Sequence, residues 1–401
     1  MAAQEYQAPE SVSRVQQRAL TIGGVALLVS ILGAVRSPRD FYQSYLMSFL
    51  LILGLTVGSL GLVMLQHLTS GHWGIIIRRP LESATRVLPL MVVAFLPIAI
   101  FGMKHLYSGH GDEKGWLNAP PTGEGALSDF QKNYLTTSGF YTRAAIYFVV
   151  WLALMFIFNI LSKQQDANPE DRALRLRFKM LAGPGIILYV FAMSFAAIDW
   201  AMSLSPHWAS TIYGFLFVAG QLISSMSFMI AVVVLLARSE PFASVLQKRH
   251  LHDLGKLLLA FVMLWAYFDF SQLLIIWSGN QPEEISFYRT RLYGGWGVVA
   301  VIVLVFHFFV PFFLLLSQDV KRNSKVLPRI AIWLIFMRLV DLYWMTRPEF
   351  TSRAMPTWLD IVLPLALGGL WLGFFAFNLK QCPLLPLGDP DLAEAIEHHE
   401  H

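Results

Sequence analysis

Acids buried in apolar runs are the residues of this sequence best placed to do chemistry. Asp269 stands deep in HDLGKLLLAFVMLWAYFDFSQLLIIW, residues 252–277, with Tyr267, Ser271 and Gln272 close by. A carboxylate at membrane depth costs roughly 2.5–3.5 kcal/mol on insertion scales, so it faces a bundle interior or a water-filled cavity and is functional by default. Proton transfer and hydrogen bonding to a polar headgroup are the chemistries open to it. The plainer alternative is a structural hydrogen bond to another helix. Arg338 and Asp341 lie three residues apart, close enough on one helix to pair directly, and mutual neutralisation alone would explain both. Asp199 and Asp360 sit near span ends, where solvation is cheap, and His207 lies in a short link.

A second polar set consists of His252, Asp253 and Lys256 at the start of the same stretch, together with His67 and His307 in other spans. His252, Asp253 and Lys256 also fit a helix start whose long side chains reach for the interface. His307, one histidine on an apolar face, fits a satisfied core residue. Asp253 and Asp269 are 16 residues apart, or roughly 24 Å along one helix. No single proton hop covers that distance. Two polar sets with an apolar middle therefore read as two proton half-channels, or as a headgroup site plus a proton route.

The elements that position these groups follow from composition. The chain has 401 residues, is 56% hydrophobic and carries only 14% charged residues, against about 25% in soluble domains. Apolar runs recur from end to end, so the fold expected is an all-α polytopic membrane protein of ten transmembrane helices. Residues 1–18 form a polar N-terminal segment, 19–379 the membrane domain and 380–401 an acidic, His-rich tail expected to be solvated and flexible. The HHEH terminus is prone to bind metal, but a flexible tail is the simpler reading. The loop 107–140 is long and polar and reads as an ordered cap or partner contact. Lys and Arg concentrate roughly two to one on the side of the N-terminus, which predicts that both termini are cytoplasmic. No nucleic-acid footprint is visible in a net charge of +4 spread over loops. The single Cys382 cannot ligate an iron–sulfur cluster alone, and no pair of axial histidines suits a haem. No metal or other bound cofactor is expected in this chain.

Two stretches echo each other. FAAIDWAMSLSP ends one span with Asp199 seven residues before Pro206, and MRLVDLYWMTRP ends another with Asp341 seven residues before Pro348. This suggests two four-helix bundles, spans two to five (about 45–202) and spans six to nine (about 208–346), flanked by the first and last spans.

Three motifs carry a family resemblance: DWAMSLSPHWASTIYG (199–214), HDLGKLLLAFVMLWAYFDFSQLLIIWSGNQPEE (252–284) and RLYGGW (291–296). They resemble the ActF subunits of bacterial alternative complex III, the quinone-binding subunit 2 of a quinol:cytochrome c (or high-potential acceptor) oxidoreductase in the NrfD/PsrC-like superfamily of membrane anchors. The resemblance covers roughly residues 20–380. It implies ten spans in two four-helix bundles, a bacterial inner membrane location, and a multisubunit respiratory complex without a redox centre in this chain. It implies an NrfD-like sibling membrane subunit, haem c subunits, an iron–sulfur subunit, surrounding lipid and a terminal oxidase as further associate. Haem c and iron–sulfur clusters would sit in those partners, and quinol would be oxidised near the outer face. Asp199, Asp269 and Asp341 are the positions carried over. Asp269, Asp199, Arg338, Asp341, Asp360, Tyr267 and His207 are then candidates for a proton route or quinone site, and His252, Asp253, Lys256 and His307 for an inner half-channel. A secondary transporter using buried carboxylates and a ligand-free scaffold are the competing functions.

Overall fold

The structure is a computed structural model that describes residues 6–110, 113–123 and 125–397. Ten principal helices carry these residues. They are α1 (Glu10–Arg36), α2 (Pro38–Thr69), α3 (the bent run Arg78–Leu106), α4 (Thr137–Ala167) and α5 (Arg172–Trp200). The second half holds α6 (Tyr213–Leu236), α7 (Lys248–Gly279), α8 (the run Trp296–Leu316), α9 (Leu327–Thr346) and α10 (Leu359–Leu379). Among the described residues nine helices are long and apolar enough to cross a membrane. The protein is an all-α polytopic membrane protein. The tenth helix, α9, falls outside that group because Arg329, Arg338 and Asp341 interrupt its apolar run. Its 20 residues still match the ~20 that a span requires.

Two helices are broken by π-helical turns. In α3 the turn is Ile98–Gly102, directly after Pro97. Proline removes a backbone donor and clashes with the preceding turn, so the helix bends there. In α8 the turn is Leu304–Phe309 and contains His307. Such bulges recur at functional sites.

Small residues set the closest approaches. α2 is buried along its whole apolar stretch and packs on α6. A Cβ on Gly58 would lie 2.5 Å from Ser225 Oγ and 2.6 Å from the Gln221 carbonyl oxygen, so only glycine fits. α1 packs on α10 in the same way, with Gly23 against Gly369. Backbones that approach this closely gain dispersion contact, which matters where lipid removes any hydrophobic drive between helices. α2 contacts α3, α4 and α5, and α6 contacts α7 and α9, with the α2–α6, α5–α6 and α2–α9 contacts joining the two halves.

Both chain ends meet on one face. The Leu384 N–H donates to the Tyr6 carbonyl at 2.8 Å, and Lys380 Nζ donates to Ser13 Oγ at 3.2 Å. Here the structure departs from the expectation of a flexible tail. Leu384 and Leu385 are fully buried, and acids further on are held by arginines of the bundle. The HHEH terminus lies outside the described residues. At the other end α1 starts at Glu10, so much of the polar N-terminal segment is helical.

The 107–140 loop folds over the opposite face. Gly109–His110 pairs antiparallel with Glu113–Lys114, and a helix Asp129–Tyr134 opens with a Ser128–Gln131 capping box. Gln131 Nε2 donates to the Pro206 carbonyl at 2.7 Å, and the Tyr107 hydroxyl donates to the Trp200 carbonyl at 3.0 Å. The loop is thus an ordered cap tied to the chain's own α5–α6 link.

Candidate functional site

The centre of the second half is a polar group within apolar helices. Arg338 and Asp341 pair directly on α9 and both are buried. Space for the guanidinium comes from α6, where a Cβ on Gly220 would lie 2.2 Å from Arg338 Cζ. The Phe217 ring lies 5.4 Å below it. His307 is fully buried, and neither ring nitrogen has a partner. Its ring meets Trp265 edge to face at 4.5 Å, and it lies within reach of the Arg338 charge. Sequence reasoning grouped His307 with the other half of the membrane. The structure moves it to the Arg338–Asp341 group, because the π-turn of α8 carries the ring onto α7 beside Trp265.

Asp269 lies one turn beyond Trp265 on α7. It is half-buried, makes no hydrogen bond or ion pair among the described residues, and feels the charge of Asp341. Beyond it runs a polar chain. Ser210 Oγ donates to Gln272 Oε1 at 2.9 Å, and Gln272 Nε2 donates to the Tyr288 hydroxyl at 3.3 Å. Burial and then the nearby Asp269 charge push the Tyr288 phenol up, so it stays protonated. Sequence reasoning singled out Gln272 but neither Ser210 nor Tyr288, which stand in a link and a short loop helix.

Asp199 has a richer shell in the first half. Arg143 on α4 binds both its oxygens at 2.8 and 2.9 Å, and the Tyr147 hydroxyl donates to it at 2.7 Å. Its burial corrects the view that it sits where solvation is cheap. Arg143 also stacks 3.8 Å over the Tyr134 ring. Burial and the Asp199 charge push the Tyr134 phenol up to about 12, with Arg143 pulling the other way. Beside this group opens an apolar cavity of about 270 Å³, lined by Tyr134, Gln131, Phe195, Ile198, Met202 and Trp208 among others. Arg143 and Tyr147, four residues apart at the start of a span, were the available sequence signal.

The remaining candidates separate. Asp360 is buried, again against expectation, and accepts from Ser44 Oγ at 2.6 Å, the Thr357 N–H at 2.7 Å and Arg347 at 3.3 Å. That shell fixes the start of α10. Tyr267 is 65% exposed on the outer surface of α7, and His207 is exposed in its link. Neither joins the polar centres. Asp253 and Lys256 pair at 3.3 Å with both side chains well exposed, and His252 is half-exposed beside them. They form a patch on the surface of this chain.

The enclosed polar group on the face of the termini is elsewhere, and sequence reasoning missed it. Arg78 and Arg79 bracket Glu82 at 3.0 and 2.8 Å, and Ser162 Oγ donates to Glu82 at 2.6 Å. Arg78 reaches Gln165 at 2.7 Å and Asp389 at 2.7 Å, while Arg79 pairs with Asp166. RRPLE at 78–82 places Arg and Glu at helical pairing distance, a signal that was available. Among the described residues no group of three or more His, Cys, Asp or Glu side chains could hold a metal ion. Neither the protein-family models nor the curated proteins give a match to this chain.

Proposed function

We propose that the chain is an integral subunit of a bacterial quinol-oxidising respiratory complex of the alternative complex III type. In that role it moves protons rather than electrons. The observation that carries the reading is the buried centre of His307, Arg338 and Asp341, next to the unpaired Asp269. An unmet histidine costs stability unless something binds it, and intramembrane carboxylates mark proton relays. Asp269 has no fixed partner among the described residues, so it can exchange a proton without breaking an ion pair, whereas the Asp360 carboxylate is engaged by Ser44, Thr357 and Arg347. Ser210, Gln272 and Tyr288 extend this centre toward the face opposite the termini, which the Lys and Arg bias makes the outer face.

The 270 Å³ cavity beside Tyr134 is the candidate quinol site. Its mostly apolar walls suit a quinone ring with its prenyl chain, and its Tyr134 edge leads to the Arg143–Asp199 pair. The quinone-binding role and the partners, a sibling membrane subunit with haem c and iron–sulfur subunits, rest on the three sequence motifs. Purification of the tagged chain from its native membrane tests the reading. Co-purification with c-type haem and quinol oxidation are expected. A chain that purifies alone and transports solute in vesicles is instead a secondary transporter.

A further inference from the structure

On the face of the termini a small polar cavity of about 20 Å³ lies at the end of α2. That volume holds one water, which needs about 10–15 Å³ and two to four polar partners. Gln66, His67, Gln165, Arg175, Asp389 and Asp391 line it. Two of these carry unmet atoms: Gln66 Oε1 and His67 Nε2 are buried without a partner, and the side chains are 5% and 8% exposed. The His67 ring is fixed by Phe178, stacked at 3.9 Å and nearly parallel. It feels the charges of Arg78 and Glu82. An acceptor amide and an imidazole nitrogen, both buried and both unmet, are the partners an ordered water requires.

The roof of this cavity is the C-terminal segment. Asp389 is held by Arg78 at 2.7 Å, and Asp391 by Arg175 at 2.5 Å. The Gly388 N–H donates to Asp166 at 3.3 Å, and a Cβ on Gly388 would lie 2.2 Å from the Gln165 carbonyl oxygen, so the segment is seated closely. Arg175 is 47% and Asp391 21% exposed, and pairs so open to solvent contribute little. It is the weak edge of the roof.

We propose that Gln66 and His67 hold a water at a proton-uptake site on the face of the termini, roofed by residues 387–391 of the C-terminal segment. Protons reach His67 through that water when the Arg175–Asp391 edge parts. An imidazole nitrogen accepts a proton and, once protonated, donates it, so the ring can pass a proton on. Arg78, Arg175, Glu82, Asp389 and Asp391 are the charged groups that face it, and Gln165 and Ser70 complete the wall.

Hydrogen–deuterium exchange at the C2 carbon of individual histidines, read by mass spectrometry on the full-length chain in detergent, tests this. The readout needs no turnover, so it stands or falls separately from the quinol reading. In the intact chain His67 should exchange more slowly than the exposed His207. A chain ending at Pro386 should raise the His67 rate about tenfold or more, since losing held arginine partners opens the site. Asp391→Asn should raise it by a smaller factor, which covers the case in which the truncated chain does not fold. Equal rates at His67 in the intact chain and both variants would overturn the proposal.

Discussion

Both nitrogens of His307 lie buried and unmet, at a cost of about 1–3 kcal/mol for each polar group. A purely structural residue at this position would gain nothing from being histidine. His307→Phe keeps a ring against Trp265 and removes both polar atoms. Its thermal unfolding temperature in detergent should stay level or rise, while proton movement linked to turnover falls. A clear loss of stability would assign the imidazole a packing role. Arg143 makes the opposite case. It supplies two of the three side-chain hydrogen bonds to Asp199, so Arg143→Ala leaves a buried carboxylate with Tyr147 alone. Breaking one side of a buried pair costs about 3–5 kcal/mol, and denaturant unfolding should show a loss of that size. Arg143→Lys should recover only part, because an ammonium cannot bind both oxygens of Asp199 in a fork. At this scale the sequence was only partly legible. Arg338 and Asp341 could be paired in advance because three residues on a helix bring them together. Arg143 and Asp199 could not, because the contact joins two helices 56 residues apart and leaves no local periodicity.

Helices meet in this protein where side chains are missing. Gly23 and Gly24 are neighbours on α1 with opposite surroundings. A Cβ on Gly23 would lie 2.6 Å from the Leu370 backbone nitrogen, whereas one on Gly24 meets nothing within 4 Å. Gly23→Ala should therefore lever α1 away from α10 and cost about 1–3 kcal/mol of stability. Gly24→Ala should gain up to about 1 kcal/mol from helix propensity. Thermal unfolding of the two variants side by side checks the pair of signs. Helix number and order were legible from apolar run lengths, because a bilayer fixes how long a span must be. The π-turn of α8 was not legible. A one-residue bulge shifts a side chain around the helix without changing composition, which is why His307 was placed with the wrong group.

Among the described residues the buried polar groups include Arg143–Asp199 and its tyrosines, Arg338–Asp341 with His307 and Asp269 nearby, the Arg347–Asp360 group, and the arginine cluster under the C-terminal segment. His252, Asp253 and Lys256 stand at a helix start on the surface, where charged side chains reach water directly. The enclosed polar group on that face is the arginine cluster, closed by a tail whose acids looked solvated in the sequence. Only the fold makes the tail's acids and Arg78 neighbours, across 311 residues. The carboxyl with no fixed partner among the described residues, Asp269, is the one best placed to exchange a proton. Asp269→Asn is nearly isosteric and keeps a hydrogen-bonding group, so the chain should still fold and assemble. The most direct measurement is quinol oxidation and proton release by the reconstituted complex carrying Asp269→Asn. Intact assembly is expected with turnover, or protons per quinol, reduced on the order of a hundredfold, the scale of a lost proton-transfer group. Unchanged turnover and unchanged proton stoichiometry in that complex would contradict it.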